Sequence, residues 1–87
     1  MDMKLIGEIS GYIAAVIGAF VFFPQVIQSW KSKNTKDVSF LSFFLISIVS
    51  ALWVIYGIAN NALPIILVNI VICILSIIML ILKRKYG

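Results

Sequence analysis

The sequence predicts an all-α membrane protein, a bundle of three transmembrane helices, from its composition, its charge distribution and its uncharged stretches. Hydrophobic residues make up 63% of the 87 residues, charged residues only 11%, and the mean hydropathy is +1.18. A soluble domain is about 45–50% apolar and about a quarter charged. A chain this short has too little interior to hide the excess from water. The composition therefore excludes a soluble enzyme, and a single cysteine excludes a disulfide scaffold.

Three uncharged stretches run over residues 9–30, 40–59 and 62–82. Each is close to the roughly 20 residues that a helix needs to cross the hydrocarbon core of a bilayer. The stretches are apolar on all faces, whereas the strands of a membrane barrel alternate in polarity. We therefore interpret residues 1–87 as a single membrane domain with three helical spans.

The first span is interrupted by Pro24, which removes the helical hydrogen bond to the carbonyl of Phe20. Gln25 follows directly and offers an amide to the freed backbone groups. Two interpretations remain open at this point: a static kink, or a hinge that opens and closes one end of a pathway.

The second and third spans form a tight antiparallel hairpin. They are joined only by the Asn60-Asn61 turn, and asparagine tolerates the left-handed backbone of such turns. Pro64 lies in the first turn of the third helix, where its missing N–H costs little.

Basic residues predict the orientation in the membrane. Three lysines lie between the first two spans, and Lys83, Arg84 and Lys85 follow the third. Both segments fall on one side, which the positive-inside rule assigns to the cytoplasm. We expect a multi-pass protein of the cell (inner) membrane, with the N-terminus outside and the C-terminus cytoplasmic. The isoelectric point of about 9.5 does not indicate a nucleic-acid partner, because the basic residues only flank the spans.

Two polar or amphipathic side chains lie at matching depth in the hairpin. Trp53 and Asn69 are both roughly 11–12 Å from the Asn60-Asn61 turn, at about 1.5 Å per residue. An indole face stacks on the C–H faces of a sugar, and a carboxamide exchanges hydrogen bonds with its hydroxyls. The residues alone leave two interpretations open: a sugar pocket, or a packing tryptophan with an asparagine that bonds helices together.

The chain lacks the side chains that enzymatic catalysis needs. There is no histidine, and no nucleophile–base pair, metal-ligand cluster or cofactor motif can be assembled. Asp37 is the only acid between Ile9 and Leu82, and it lies in a loop. Because proton-coupled carriers bury an acid or histidine in the membrane, passive transport is favoured.

Three helices are too few to surround a sugar-sized solute while shielding polar residues from lipid. Two copies related by an axis along the membrane normal give six helices, with Trp53 and Asn69 each represented twice around a cavity. The sequence therefore predicts a parallel homodimer.

Four segments carry a resemblance to a known family. Residues 22–25 (FFPQ) and 33–39 (KNTKDVS) resemble the PQ-loop signature, and residues 52–57 (LWVIYG) and 63–69 (LPIILVN) resemble the bacterial SemiSWEET sugar transporters. The similarity covers nearly the whole chain in order and length.

The resemblance implies a homodimer of three-helix bundles that carries a mono- or disaccharide, glucose- or sucrose-like, by uncoupled alternating access. It implies that Trp53 and Asn69 bind the sugar and that Pro24 and Gln25 form the hinge. It further implies that Phe22 closes the inner gate and that Tyr56 closes the outer one. Two alternatives are a PQ-loop carrier of another solute, such as an amino acid, and a structural or regulatory membrane subunit that transports nothing.

Overall fold

The computed structural model describes residues 2–87 and contains three helices. Helix α1 spans Met3–Ser32, α2 spans Phe40–Ala59 and α3 spans Leu63–Tyr86. Each is long and apolar enough to cross a membrane. These helices confirm the all-α membrane fold that the composition predicts.

Helix α1 is longer at both ends than the uncharged stretch from which it was predicted. The Asp2 carboxylate caps it by accepting a hydrogen bond of 2.8 Å from the N–H of Leu5, so the helix starts among charged residues. At the other end, Lys33 adopts a left-handed conformation (φ 55°) and donates its N–H to the carbonyl of Ser29. Thirty residues give a helix of about 45 Å.

Helices α2 and α3 form the predicted hairpin. The Ser39 hydroxyl caps α2 by accepting from the N–H of Ser42 at 3.1 Å. The turn after α2 places Asn61 in the left-handed region (φ 53°), and the N–H of Ala62 donates to the carbonyl of Gly57 at 2.9 Å. Pro64 lies at the start of α3, where its ring is compatible with the first helical turn.

The three helices lie side by side in one layer, with α3 in the middle. Helix α3 packs against both α1 and α2, whereas the backbones of α1 and α2 are not neighbours within residues 2–87. The extents of the chain are 48 × 22 × 14 Å. Since a helix with its side chains is about 10–12 Å thick, the layer is one helix deep, and both of its faces are open.

Glycines bring α3 close to each of its neighbours. A Cβ added at Gly11 would lie 2.9 Å from the Cβ of Pro64, and one added at Gly57 would lie 2.8 Å from Cγ1 of Ile66. These contacts fix the end of the bundle that holds the α2–α3 turn.

A small apolar core lies at the opposite end, near the basic residues. It consists of Val26, Leu75, Met79 and Leu82. The loop between α1 and α2 is tied to this end, because the Lys83 ammonium donates to the carbonyl of the buried Thr35 at 2.8 Å. We call it the basic end and the other the turn end.

Candidate functional site

One open face of the layer carries a concavity of about 380 Å³, to which all three helices contribute. We call it the central concavity. It is lined by Phe22 of α1, by Leu45, Ile46, Val49, Ser50 and Trp53 of α2, and by Asn69 and Ile72 of α3. The structure therefore brings three of the six predicted site residues, Phe22, Trp53 and Asn69, to one surface.

Trp53 and Tyr56 form an aromatic pair on the exposed side of α2. They lie one helical turn apart, with ring centroids 5.3 Å apart and ring planes at 84°. Trp53 is 48% exposed and Tyr56 is 51% exposed. Both also line a second concavity of about 420 Å³ with Val49 and Leu52. The indole is thus held by its neighbour but is free to stack on a ligand.

Asn69 lies on the central helix and faces the central concavity. Its Nδ2 donates one hydrogen bond of 2.8 Å to the carbonyl of Ile65 in the preceding turn. This bond fixes the amide plane and leaves Oδ1 and the second N–H for other partners. The carboxamide can therefore both accept and donate toward a ligand.

Phe22, which lines the central concavity, packs against Phe43 of α2, a residue that the sequence analysis did not single out. The two rings meet edge to face, with centroids 6.3 Å apart and planes at 85°. This contact joins α1 to α2 where their backbones do not meet. Counting residues inward from the loop does not predict this contact, because Phe22 lies ten residues before the end of α1 and Phe43 only three after the start of α2.

Pro24 and Gln25 lie within α1, which remains helical through both residues. Both side chains are exposed, and neither lines the central concavity. The structure thus separates the predicted hinge residues from the predicted binding residues.

The polar side chains within α2 and α3 form two groups. The hydroxyls of Ser47 and Ser50 donate to carbonyls of their own helix, both at 2.8 Å, and Ser50 is buried. Cys73 Sγ lies 3.7 Å from the carbonyl of Ser47. Ser76 is fully buried, and its hydroxyl has no partner within the described chain. These small polar groups pack α2 on α3, whereas Trp53 and Asn69 remain open.

Residues 2–87 contain no cluster of three His, Cys, Asp or Glu side chains that could hold a metal ion. What the surface offers is an indole, a carboxamide and apolar walls. That combination suits an uncharged ligand with both apolar faces and hydroxyls.

Comparison with known proteins assigns the chain to a family. The model of the PQ-loop repeat family matches residues 6–66. A protein of Leptospira biflexa named "Sugar transporter SemiSWEET" is 39% identical over 61 residues, which cover 70% of this chain and 72% of that protein. A protein of the same name from Bradyrhizobium diazoefficiens is 33% identical over 87 residues, the full length of both.

A solved structure has the same fold as this chain. The crystal structure of a bacterial homologue of SWEET transporters superimposes with a TM-score of 0.88 at 32% identity, covering 94% of this chain and 99% of that one. The chain therefore belongs to the PQ-loop family, within its SemiSWEET group, and is a membrane protein.

Proposed function

We propose that this PQ-loop protein carries a mono- or disaccharide passively across the membrane as a parallel homodimer. The observation that carries the proposal is the central concavity, where Trp53 and Asn69 share one open surface. The relatives named as sugar transporters support the same substrate class.

The two side chains suit the two parts of a sugar. The half-exposed indole of Trp53 presents an apolar face to the ring C–H groups of a pyranose. The Asn69 amide, already oriented by its bond to Ile65, offers an acceptor and a donor to hydroxyl groups. Neither group is charged, so the concavity does not favour the ammonium or carboxylate of an amino acid.

A second copy supplies what a single layer lacks. One layer of helices leaves the central concavity open on its face, and a solute bound there would contact lipid. Two copies related by a two-fold axis along the membrane normal would enclose two such halves of about 380 Å³ each. Their combined space lies within the range of small-molecule sites.

Access would alternate between the two ends of this enclosed site. Phe22, edge to face with Phe43, is the inner gate at the basic end, and Tyr56, against Trp53, is the outer gate at the turn end. Pro24 and Gln25 form the hinge in α1, since Pro24 cannot donate a helical hydrogen bond. We infer from the positive-inside rule that the basic end is cytoplasmic and the N-terminus outside, in the inner membrane.

Transport would be uncoupled, because the chain has no histidine and the one acid within a helix, Glu8, lies near the outer end of α1, outside the uncharged stretch of residues 9–30. Asp37 lies in the loop between α1 and α2, next to the polar residues Gln28 and Asn34. Without a membrane carboxylate to load and unload, a proton gradient has no group on which to act.

The test is uptake of labelled glucose and sucrose into vesicles that contain the purified protein. We expect saturable, gradient-driven uptake that proton uncouplers do not change. Asn69→Ala removes one hydrogen-bonding amide from each half of the site, worth about 1–3 kcal/mol in total, so sugar affinity should fall roughly 5- to 150-fold. Trp53→Ala should lower it as well.

Ile74→Ala is the matched control, because Ile74 lies on α3 but is exposed and does not line the central concavity. It should transport like the unmodified protein. Wild-type affinity in both site variants would refute the assigned pocket. Uptake of amino acids instead of sugars, or no uptake together with purification in a larger complex, would establish one of the two alternative functions.

A further inference from the structure

A second, purely apolar groove lies between α1 and α3 near the basic end. Its volume is about 440 Å³, and we call it the acyl groove. It is lined by Phe23, Val26, Ile27 and Trp30 of α1 and by Leu75, Ile78 and Leu82 of α3. None of these residues lines the central concavity.

The acyl groove opens on the opposite face of the layer. On α1, Phe22 borders the central concavity while Phe23, one residue further and about 100° around the helix, borders the groove. On α3, Asn69 and Ile78 are nine residues apart, which places them half a turn from each other. A homodimer closed over the central concavity therefore leaves the groove facing the membrane.

Two lysines continue the rows of side chains that line the groove. Lys31 follows Ile27 by four residues on α1, and Lys85 follows Ile78 by seven on α3, so each lies on the same helical face as its groove residue. Both lysines are exposed. Lys85 lies over the Tyr86 ring at 5.4 Å from its centroid, an arrangement that leaves ammonium hydrogens for a further partner.

The surrounding charges favour an anion at this position. Lys83 is already engaged with the Thr35 carbonyl. Asp37 lines a separate polar pocket with Gln28 and Ser29, and the other two acids, Asp2 and Glu8, lie at the far end of α1. None of these three acids therefore lines the groove that lies beside Lys31 and Lys85.

We propose that the acyl groove binds one anionic phospholipid, with an acyl chain along its apolar floor and the phosphate between Lys31 and Lys85. Trp30, 63% exposed at the rim, lies where tryptophan is enriched, at the level of the headgroups. Basic residues beside a membrane helix attract anionic lipids, by about a fivefold gain in binding for each lysine near the surface. The apolar groove adds a defined place for the chain.

Trp30 reports directly on the lipid that occupies the groove. In a Trp53→Phe background it is the only tryptophan. Its fluorescence is measured in vesicles that contain brominated phosphatidylglycerol, brominated phosphatidylcholine or neither, at equal mole fractions. We expect the anionic brominated lipid to quench Trp30 with at least a fivefold higher relative association constant than the zwitterionic one.

Two double variants of equal charge locate the effect. Lys31→Gln/Lys85→Gln should bring the relative association constant close to one. Lys36→Gln/Arg84→Gln removes the same charge at this end, from the α1–α2 loop and from the side of α3 that does not continue the groove, since Arg84 follows Leu82 by two residues, and should keep the preference. Equal loss in both double variants would overturn the site in favour of general surface attraction. Equal quenching by both lipids would also overturn the proposed lipid site. Quenching by neither lipid would overturn it too, because protein would then cover the groove.

Discussion

The close packing of α2 on α3 can be measured by adding one methyl group at Gly57. In Gly57→Ala the new Cβ would lie 2.8 Å from Cγ1 of Ile66 and 3.2 Å from its backbone nitrogen. Ordinary carbon contacts are about 3.5–4.0 Å, and the backbone nitrogen cannot rotate away. The two helices must therefore separate slightly, and overpacking of this kind costs about 1–3 kcal/mol.

Alanine also favours the helix, and this gain must be subtracted. It is about 1 kcal/mol in a helix interior, so Gly57→Ala should lower the free energy of unfolding by about 1 kcal/mol. Gly7→Ala is the matched control, because a Cβ at Gly7 meets nothing within 4 Å. It should raise the free energy of unfolding by up to about 1 kcal/mol. The difference between the two variants isolates the overpacking cost.

The assay is unfolding of the purified protein in mixed micelles by increasing amounts of a denaturing detergent, followed by tryptophan fluorescence and helical circular dichroism. Both variants are compared with the unmodified chain at one protein concentration, because a dimer would make stability concentration-dependent. Equal shifts for Gly57→Ala and Gly7→Ala would refute the reasoning, since α2 and α3 would then have room for a side chain at their contact.

Two further predictions concern the basic end and the hinge. Lys83→Met removes the 2.8 Å bond to the Thr35 carbonyl and should lower the free energy of unfolding by about 1–2 kcal/mol, while Arg84→Met, one residue further, should change it by less than about 0.5 kcal/mol in the same titration. Pro24→Ala restores a helical hydrogen bond to Phe20 and should slow sugar uptake with little change in affinity, and unaltered turnover would leave Pro24 as a static kink.

The number of helices and the hairpin could be predicted because each depends on local sequence. Uncharged stretches of membrane-spanning length give helices, and a turn of Asn60 and Asn61 forces α2 and α3 together. The start of α1 differed, because the cap supplied by Asp2 extends the helix through residues that a polarity pattern excludes from the bilayer.

The order of the helices in the layer could not be predicted from the sequence. All three are apolar on every face, so nothing in the sequence indicates that α3 lies between α1 and α2. Depth along the hairpin placed Trp53 and Asn69 at one level, and the structure brings both to one concavity. The contact of Lys83 with Thr35 joins residues far apart in the chain through a backbone carbonyl. Every residue has such a carbonyl, so the sequence does not indicate which one accepts the hydrogen bond.

The contacts between α1 and the rest of the layer differ between the two ends, and this difference bears on how the protein would open in the transport proposed above. At the basic end, Phe22 contacts Phe43 across the layer and Lys83 holds the loop. At the turn end, α1 meets only α3, through Gly11 and Pro64. Separating α1 from α2 at the basic end must break an aromatic contact worth about 0.5–1.5 kcal/mol and strain the loop that Lys83 anchors. At the turn end, no comparable side-chain pair joins α1 to α2 in the described chain. We therefore expect the basic end to be the more stably closed one, and Lys83→Met to shift the equilibrium toward opening there. A cysteine introduced at Leu45, which lines the central concavity, in a Cys73→Ala background would measure this shift through its reaction with a thiol reagent added from each side in turn.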